Sequence, residues 1–166
     1  MTSSSPVHPL DLRALFDALV RHGVEYLVVG GVAVQVHGHR RTTKDLDIVP
    51  APERSNFGGL ASALDELDAR VAGQAGAPVA LTDAEQLSIA PIVPPLLTRH
   101  GELHVLNEPK GAASYEQMRG RALVLDLSGL EVAVVGLDDL VRMKRASGRP
   151  EDLEDIAVLL TVAEGG

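Results

Sequence analysis

Residues 45–49, Asp-Leu-Asp-Ile-Val, alternate polar and apolar side chains with a period of two. Such alternation marks a half-buried strand, in which residues two apart share a face. Leu46 and Ile48 then enter a core, while Asp45 and Asp47 project together from the opposite face. Two adjacent carboxylates repel, and left unpaired they raise the pKa of one of them. A divalent cation removes that cost, and oxygen-only ligands suit Mg2+ or Mn2+ best.

The apolar run Tyr26–Val29 ends in Gly30-Gly31. Gly-Gly at a strand-to-helix turn lets the backbone come close to a ligand. The start of the following helix offers free N–H groups and a positive dipole end, a natural phosphate site. Alone, such a turn is more often structural. It gains weight here because the acidic pair follows fourteen residues after Gly31, on what the pattern makes the neighbouring strand.

In chain order, residues 1–10 read as a flexible lead rich in Ser and Pro, and 11–166 as one domain. Leu12, Leu15, Phe16, Leu19 and Val20 form the stripe of an amphipathic helix from Asp11 to His22, ended by Gly23. Residues 24–29 form a strand, 32–37 a short helix, 38–43 a loop and 44–49 a second strand. Pro50 and Pro52 break that strand, and 53–69 is a second helix. Residues 71–95 form a long connection with a short helix near 84–88; a connection this long is often functional. Two hairpins are expected, 96–98 with 102–106 and 122–127 with 130–135 across Ser128-Gly129. Helices follow at 114–120, 137–147 and 151–162, the last opened by Pro150. Its expected apolar stripe is Leu153, Ile156, Ala157 and Leu160.

A net charge of −8 argues against a broad nucleic-acid surface. Local basic clusters remain, Arg40-Arg41-Lys44 and Arg142-Lys144-Arg145-Arg149. Two Phe, two Tyr and no Trp leave no aromatic platform for single-stranded RNA. No run approaches the about 20 apolar residues of a membrane span, and the first ten residues do not read as a secretory signal. The absence of cysteine excludes disulfides and thiolate metal sites, and a cytoplasmic location fits.

Gly30-Gly31, Gly38 and Arg41-x-Thr43-x-Asp45-x-Asp47 together resemble the core motif of the nucleotidyltransferase superfamily related to DNA polymerase β. The segment 101–106, the helix start Ser114-Tyr115-Glu116, Leu137-Asp138-Asp139-Leu140, Lys144 and the tail Arg149-Pro150-Glu151-Asp152-Leu153-Glu154-Asp155 are similar to AbiEii/MenT-type toxin-like nucleotidyltransferases. The resemblance spans residues 15–160. It implies an α+β fold, a mixed β-sheet flanked by helices with C-terminal helices. It also implies transfer of a nucleoside monophosphate from an NTP to an acceptor hydroxyl. Asp45 and Asp47 then hold Mg2+ (or Mn2+), Gly30 and Gly31 cradle the triphosphate, and Arg41 and Thr43 support the loop or touch phosphate. Catalytic roles fall to Asp45, Asp47, Lys144 and Asp152, with Lys144 also binding nucleotide. The implied partners are an NTP, a tRNA or other RNA acceptor, and a cognate antitoxin; no membrane partner is implied.

Lys144 also stands out on its own. It shares a helix face with Leu137, Leu140 and Val141, and a lysine in line with core residues requires an anionic partner. That partner is a triphosphate or a carboxylate such as Asp152 or Asp155; the competing reading is a side chain that snorkels to solvent. For Asp152 and Asp155 the competing reading is charge complementing a helix N-terminus.

One position departs from the family pattern. The wider superfamily places a third carboxylate on a later strand, and at that position this chain has His104. An imidazole can serve as base; Glu102, two residues away on the same face, and Asp152 are the alternatives, and loss of activity is the fourth. His37 and His39 lack the partners a zinc site needs. Two readings therefore stand beside the toxin-like enzyme. One is an antibiotic nucleotidyltransferase acting on an aminoglycoside or lincosamide; the other is a catalytically inactive nucleotide-binding or interaction module.

Overall fold

The computed structural model describes residues 7–72 and 84–165. The start of the expected flexible lead (1–6) and the middle of the 71–95 connection (73–83) lie outside the described residues. The chain begins with α1 (Leu12–Arg21), β1 (Tyr26–Val29), α2 (Gly30–Val36), β2 (Asp45–Pro50) and α3 (Arg54–Glu66). The middle holds β3 (Arg70–Val71), α4 (Ala84–Ile89), β4 (Leu96–Thr98), β5 (Gly101–Val105) and α5 (Tyr115–Gly120). The end holds β6 (Leu123–Leu127), β7 (Leu130–Val134), α6 (Leu137–Ser147) and α7 (Pro150–Gly165).

The strands form one seven-stranded sheet in the order β3-β4-β5-β2-β1-β7-β6. β1 and β2 pair antiparallel at its centre, and each has a parallel outer neighbour, β7 and β5. The sheet is mixed and the fold α+β, as expected. Every residue of β1 is buried, so both sheet faces are covered at the centre.

Local chemistry explains the boundaries. The Asp11 carboxylate caps α1 by accepting from Ala14 N–H at 3.1 Å. Ser114 and Gln117 form a capping box on α5. α1 buries Leu15, Phe16, Ala18 and Leu19; Val20, expected in the stripe, is 45% exposed. Pro50 does not break its strand but closes it, paired with Tyr26 on β1. The Ile48 carbonyl accepts from Leu106 on the β5 side, so residue 50 turns its missing N–H the same way, where β5 has already ended.

The inward face of α7 also differs from expectation. It carries Asp152, Asp155, Ile156 and Leu159, whereas Leu153 and Leu160 are exposed. The four share one face at i, i+3, i+4 and i+7. Two carboxylates lie buried there because cations from elsewhere in the chain meet them.

Candidate active site

The register of β2 on β5 assembles the acidic centre. Asp45 lies beside Glu102 and Asp47 beside His104, so four polar side chains leave one face of two adjacent strands. Leu46, Ile48, Leu103 and Val105, from the other face, are fully buried. His104 Nδ1 is 3.0 Å from Asp47 Oδ1, and its Nε2 is 3.0 Å from Glu102 Oε1 and 3.8 Å from Asp45 Oδ2.

The electrostatics follow from this crowding. Burial, and next the Asp47 charge, push the Asp45 carboxyl above its ordinary range. The Asp47 carboxylate above all, with help from Glu102 and Asp45, outweighs partial burial and lifts the His104 imidazole to about 9. Asp47 Oδ1 is buried yet accepts no aligned hydrogen bond. His104 Nδ1 stands 3.0 Å from it. A buried carboxylate oxygen without a directed partner is a vacancy in the hydrogen-bond inventory that a cation completes. Asp45, Asp47 and His104 each offer one ligand atom, all within 4.8 Å of one another, so the residues fit a divalent ion.

The two glycines are fixed by their neighbours. Gly30 begins α2 with φ +65°, and a Cβ on it would lie 1.8 Å from Asp47 Oδ2. A Cβ on Gly31 would lie 2.5 Å from Thr43 Oγ1. Both glycines therefore admit close approach, but of the chain's own Asp47 and Thr43. Thr43 Oγ1 donates to the Asp45 carbonyl at 3.2 Å, tying the loop to the start of β2.

A second layer of charge comes from the C-terminal helices. Lys144 on α6 is buried, with Nζ 3.1 Å from Asp152 Oδ1 and 3.0 Å from Asp155 Oδ2. It does not snorkel. Arg41 donates Nε and Nη2 to the two oxygens of Asp155 at 2.8 and 2.9 Å. Arg149 donates Nε to Asp152 at 3.0 Å. Burial pushes both carboxylates up, but these bonds win and hold each below the usual range. His37 bonds the Val135 carbonyl at 2.8 Å and His39 lies 3.2 Å from Asp155, so neither joins a metal cluster among the described residues.

Two chambers open onto this centre. One of about 350 Å3 is polar, lined by Gly31, Arg41, Thr43, Lys44, Asp45 and Glu151. The other, of about 430 Å3, has apolar walls from Val29, Ile92, Leu106, Leu140 and Met143, with Lys110 in its lining. Asp47, His104, Lys144 and Arg149 line both. The structure thus brings Gly30, Gly31, Arg41, Thr43, Asp45, Asp47, Lys144 and Asp152 into one region. Asp152 and Asp155, the carboxylates expected as partners for Lys144, both meet it; what the sequence did not show is that Asp155 also holds Arg41 and His39.

A mixed sheet with paired carboxylates on a central strand, behind a Gly-Gly helix start, defines a nucleotidyltransferase fold. The family described as "Nucleotidyltransferase of unknown function (DUF6036)" matches residues 11–162, and the chain belongs to it. Among curated proteins no relative matches. Solved structures share the fold at low identity. A nucleotidyltransferase candidate from Thermotoga maritima aligns with TM-score 0.55 and 13% identity over 93% of this chain and 96% of its own. The antibiotic-resistance factor ANT(2'')-Ia aligns with TM-score 0.58 and 15% identity over 90% and 80%. An antigenic nucleotidyltransferase-like protein from Paracoccidioides brasiliensis aligns with TM-score 0.55 and 19% identity over 93% and 78%. Among the described residues no helix is long and apolar enough to cross a membrane.

Proposed function

We propose that this chain transfers a nucleoside monophosphate from an NTP to an acceptor hydroxyl. The acceptor oxygen bonds to the α-phosphorus as the bond to pyrophosphate breaks. The observation that carries the reading is the convergence of Asp45, Asp47 and His104 where the two chambers meet. Asp45 and Asp47, with His104, would hold Mg2+ or Mn2+. Bound there, such a cation neutralises phosphate charge and lowers the cost of attack at phosphorus. Arg41, Thr43 and Lys44 give the polar chamber the donors a triphosphate needs, and Lys144 reaches it from α6. Asp152 acts by holding Lys144 and Arg149 in place. Glu102, 3.0 Å from His104 Nε2, takes up the acceptor's proton. Catalysis in this class rests on alignment and electrostatics, which suits side chains fixed by register and ion pairs.

The acceptor we favour is the 3′ end of a tRNA or other RNA, within a toxin–antitoxin pair acting in the cytoplasm. Arg41, Lys44, Lys110, Lys144 and Arg149 around the chambers support an anionic acceptor within an acidic chain. The likeness to ANT(2'')-Ia favours a second reading, an antibiotic hydroxyl as acceptor. Incubation with each labelled NTP, Mg2+ or Mn2+ and either total RNA or aminoglycosides separates the two. Label in RNA supports the first and label in antibiotic the second. No label with any acceptor leaves the inactive module. Under either enzyme reading, Asp45→Ala and Asp47→Ala lower labelling by about a hundredfold or more, the scale of losing a key electrostatic stabiliser. Full activity in both variants sinks the metal assignment.

A further inference from the structure

Asp155 lines neither chamber, yet two cations of the polar chamber, Arg41 and Lys144, are built on it. Its side chain is 1% exposed and meets three basic residues from two distant segments. Arg41 grips both oxygens, Lys144 Nζ lies 3.0 Å from Oδ2, and His39 Nδ1 lies 3.2 Å from Oδ1. Among the described residues, the loop carrying Arg41 and the helix carrying Lys144 share no other buried carboxylate.

The arrangement leaves donors free. A guanidinium has five N–H groups and an ammonium three. Arg41 commits Nε and one N–H of Nη2 to Asp155, and one of Nη1 to the Thr42 carbonyl at 3.1 Å. Nη1 also lies 3.4 Å from Glu151 Oε1. The second N–H of Nη2 has no acceptor among the described residues, and Nη2 lies 3.5 Å from where a Cβ on Gly31 would stand. Lys144 spends two N–H groups on Asp152 and Asp155 and has a third, at the junction of the chambers.

We propose that Asp155 is a positioning residue that fixes Arg41 and Lys144 so that their remaining N–H groups converge on a polyphosphate in the polar chamber. Asp155 is then part of the nucleotide site without touching nucleotide. A fork held at both prongs loses little freedom when its last donor binds, which is where a fixed guanidinium outperforms a mobile one. The proposal rests on the nucleotide reading for its ligand, so the test uses inorganic tripolyphosphate beside ATP.

Titration calorimetry with each ligand is run on the intact chain, Asp155→Asn and Arg41→Lys, with Mn2+ binding in the absence of phosphate followed by paramagnetic resonance. Asp155→Asn is expected to bind both phosphates about tenfold more weakly, the scale of one charge-assisted hydrogen bond, while its Mn2+ affinity stays within twofold (about 0.4 kcal/mol). Arg41→Lys keeps the charge but not the fork, and weakens both ligands too; it decides the matter if Asp155→Asn does not fold. Unchanged binding in the variants overturns the proposal. Tighter binding overturns it as well, since Asp155 then competes with phosphate. Parallel loss of Mn2+ binding also overturns it, marking a general structural role. If the intact chain binds tripolyphosphate and no nucleotide, the nucleotide reading fails while tripolyphosphate still decides the positioning role. If it binds neither, both fall.

Discussion

Asp47 on β2 and His104 on β5 are register partners, and their side chains meet at 3.0 Å. The pairing puts an imidazole among the three carboxylates of that face, Asp45, Asp47 and Glu102. The chain is therefore calmer without a metal than an all-carboxylate site, because the protonated ring offsets Asp47, Glu102 and Asp45 in turn. Two consequences can be measured.

The first concerns pH. His104 is raised from its ordinary 6.5 to about 9 in the folded chain, so the fold binds this proton more tightly than the unfolded chain does. Its contribution to stability is complete below pH 6.5 and is lost as pH rises through about 9. In EDTA, the melting temperature of the intact chain should fall over that window, and that of His104→Gln should fall less. A divalent ion that binds the ring must displace its proton, so metal affinity should climb over the same range. Equal pH slopes for the two chains would remove the imidazole from the account.

The second concerns which ion is preferred. Two carboxylates and one imidazole form a softer donor set than three carboxylates, and Mg2+ tolerates nitrogen less well than Mn2+. His104→Asp should shift the ratio of Mn2+ to Mg2+ affinity towards Mg2+ by about tenfold, since loss of even an outer partner of a metal ligand costs about that much. Competition calorimetry at fixed pH gives the ratio directly. An unchanged ratio would show that His104 is not a ligand.

Gly30 tests the contact that locks the acidic pair to the turn. Alanine there faces a backbone with φ +65° and the Asp47 carboxylate at 1.8 Å. The left-handed conformation alone costs about 1–3 kcal/mol in a non-glycine residue, and the clash must also move Asp47. Gly30→Ala should lose that stability in urea denaturation and bind Mn2+ more weakly. Alanine at Gly23 has the same handedness problem and nothing within 4 Å. It should therefore lose stability while Mn2+ binding stays normal.

Much of this site could be read before the fold was in hand. Asp45 and Asp47 were legible because strand alternation is a local signal, and Lys144 because a lysine in an apolar stripe is a conflict visible within one helix. The inward face of α7 was not. Apolar periodicity selected Leu153 and Leu160, but burial went to Asp152 and Asp155, whose partners are set by the tertiary fold. Arg41 lies 114 positions from Asp155, and no window of sequence contains both. The two-residue strand β3 fell in a stretch too short and too rich in Gly and Ala to show a period. The role of Gly-Gly was half legible: close approach was foreseen, and its object, Asp47 and Thr43, needed the register of β1 on β2.

Lys144 carries the largest expected effect on stability. It is buried between Asp152 and Asp155, each 1% exposed. Arg149 and Arg41 still reach one carboxylate each after Lys144→Met, but the charge between the two is gone. Removing one partner from a buried ion pair costs about 3–5 kcal/mol, because the charge left behind stays out of water. Lys144→Met should therefore lower the denaturation free energy on that scale. Adding Asp155→Asn to it should recover part of the loss, since the amide needs no counter-charge. A fully additive double variant would mean that Lys144 and Asp155 act independently, against the 3.0 Å contact that joins them.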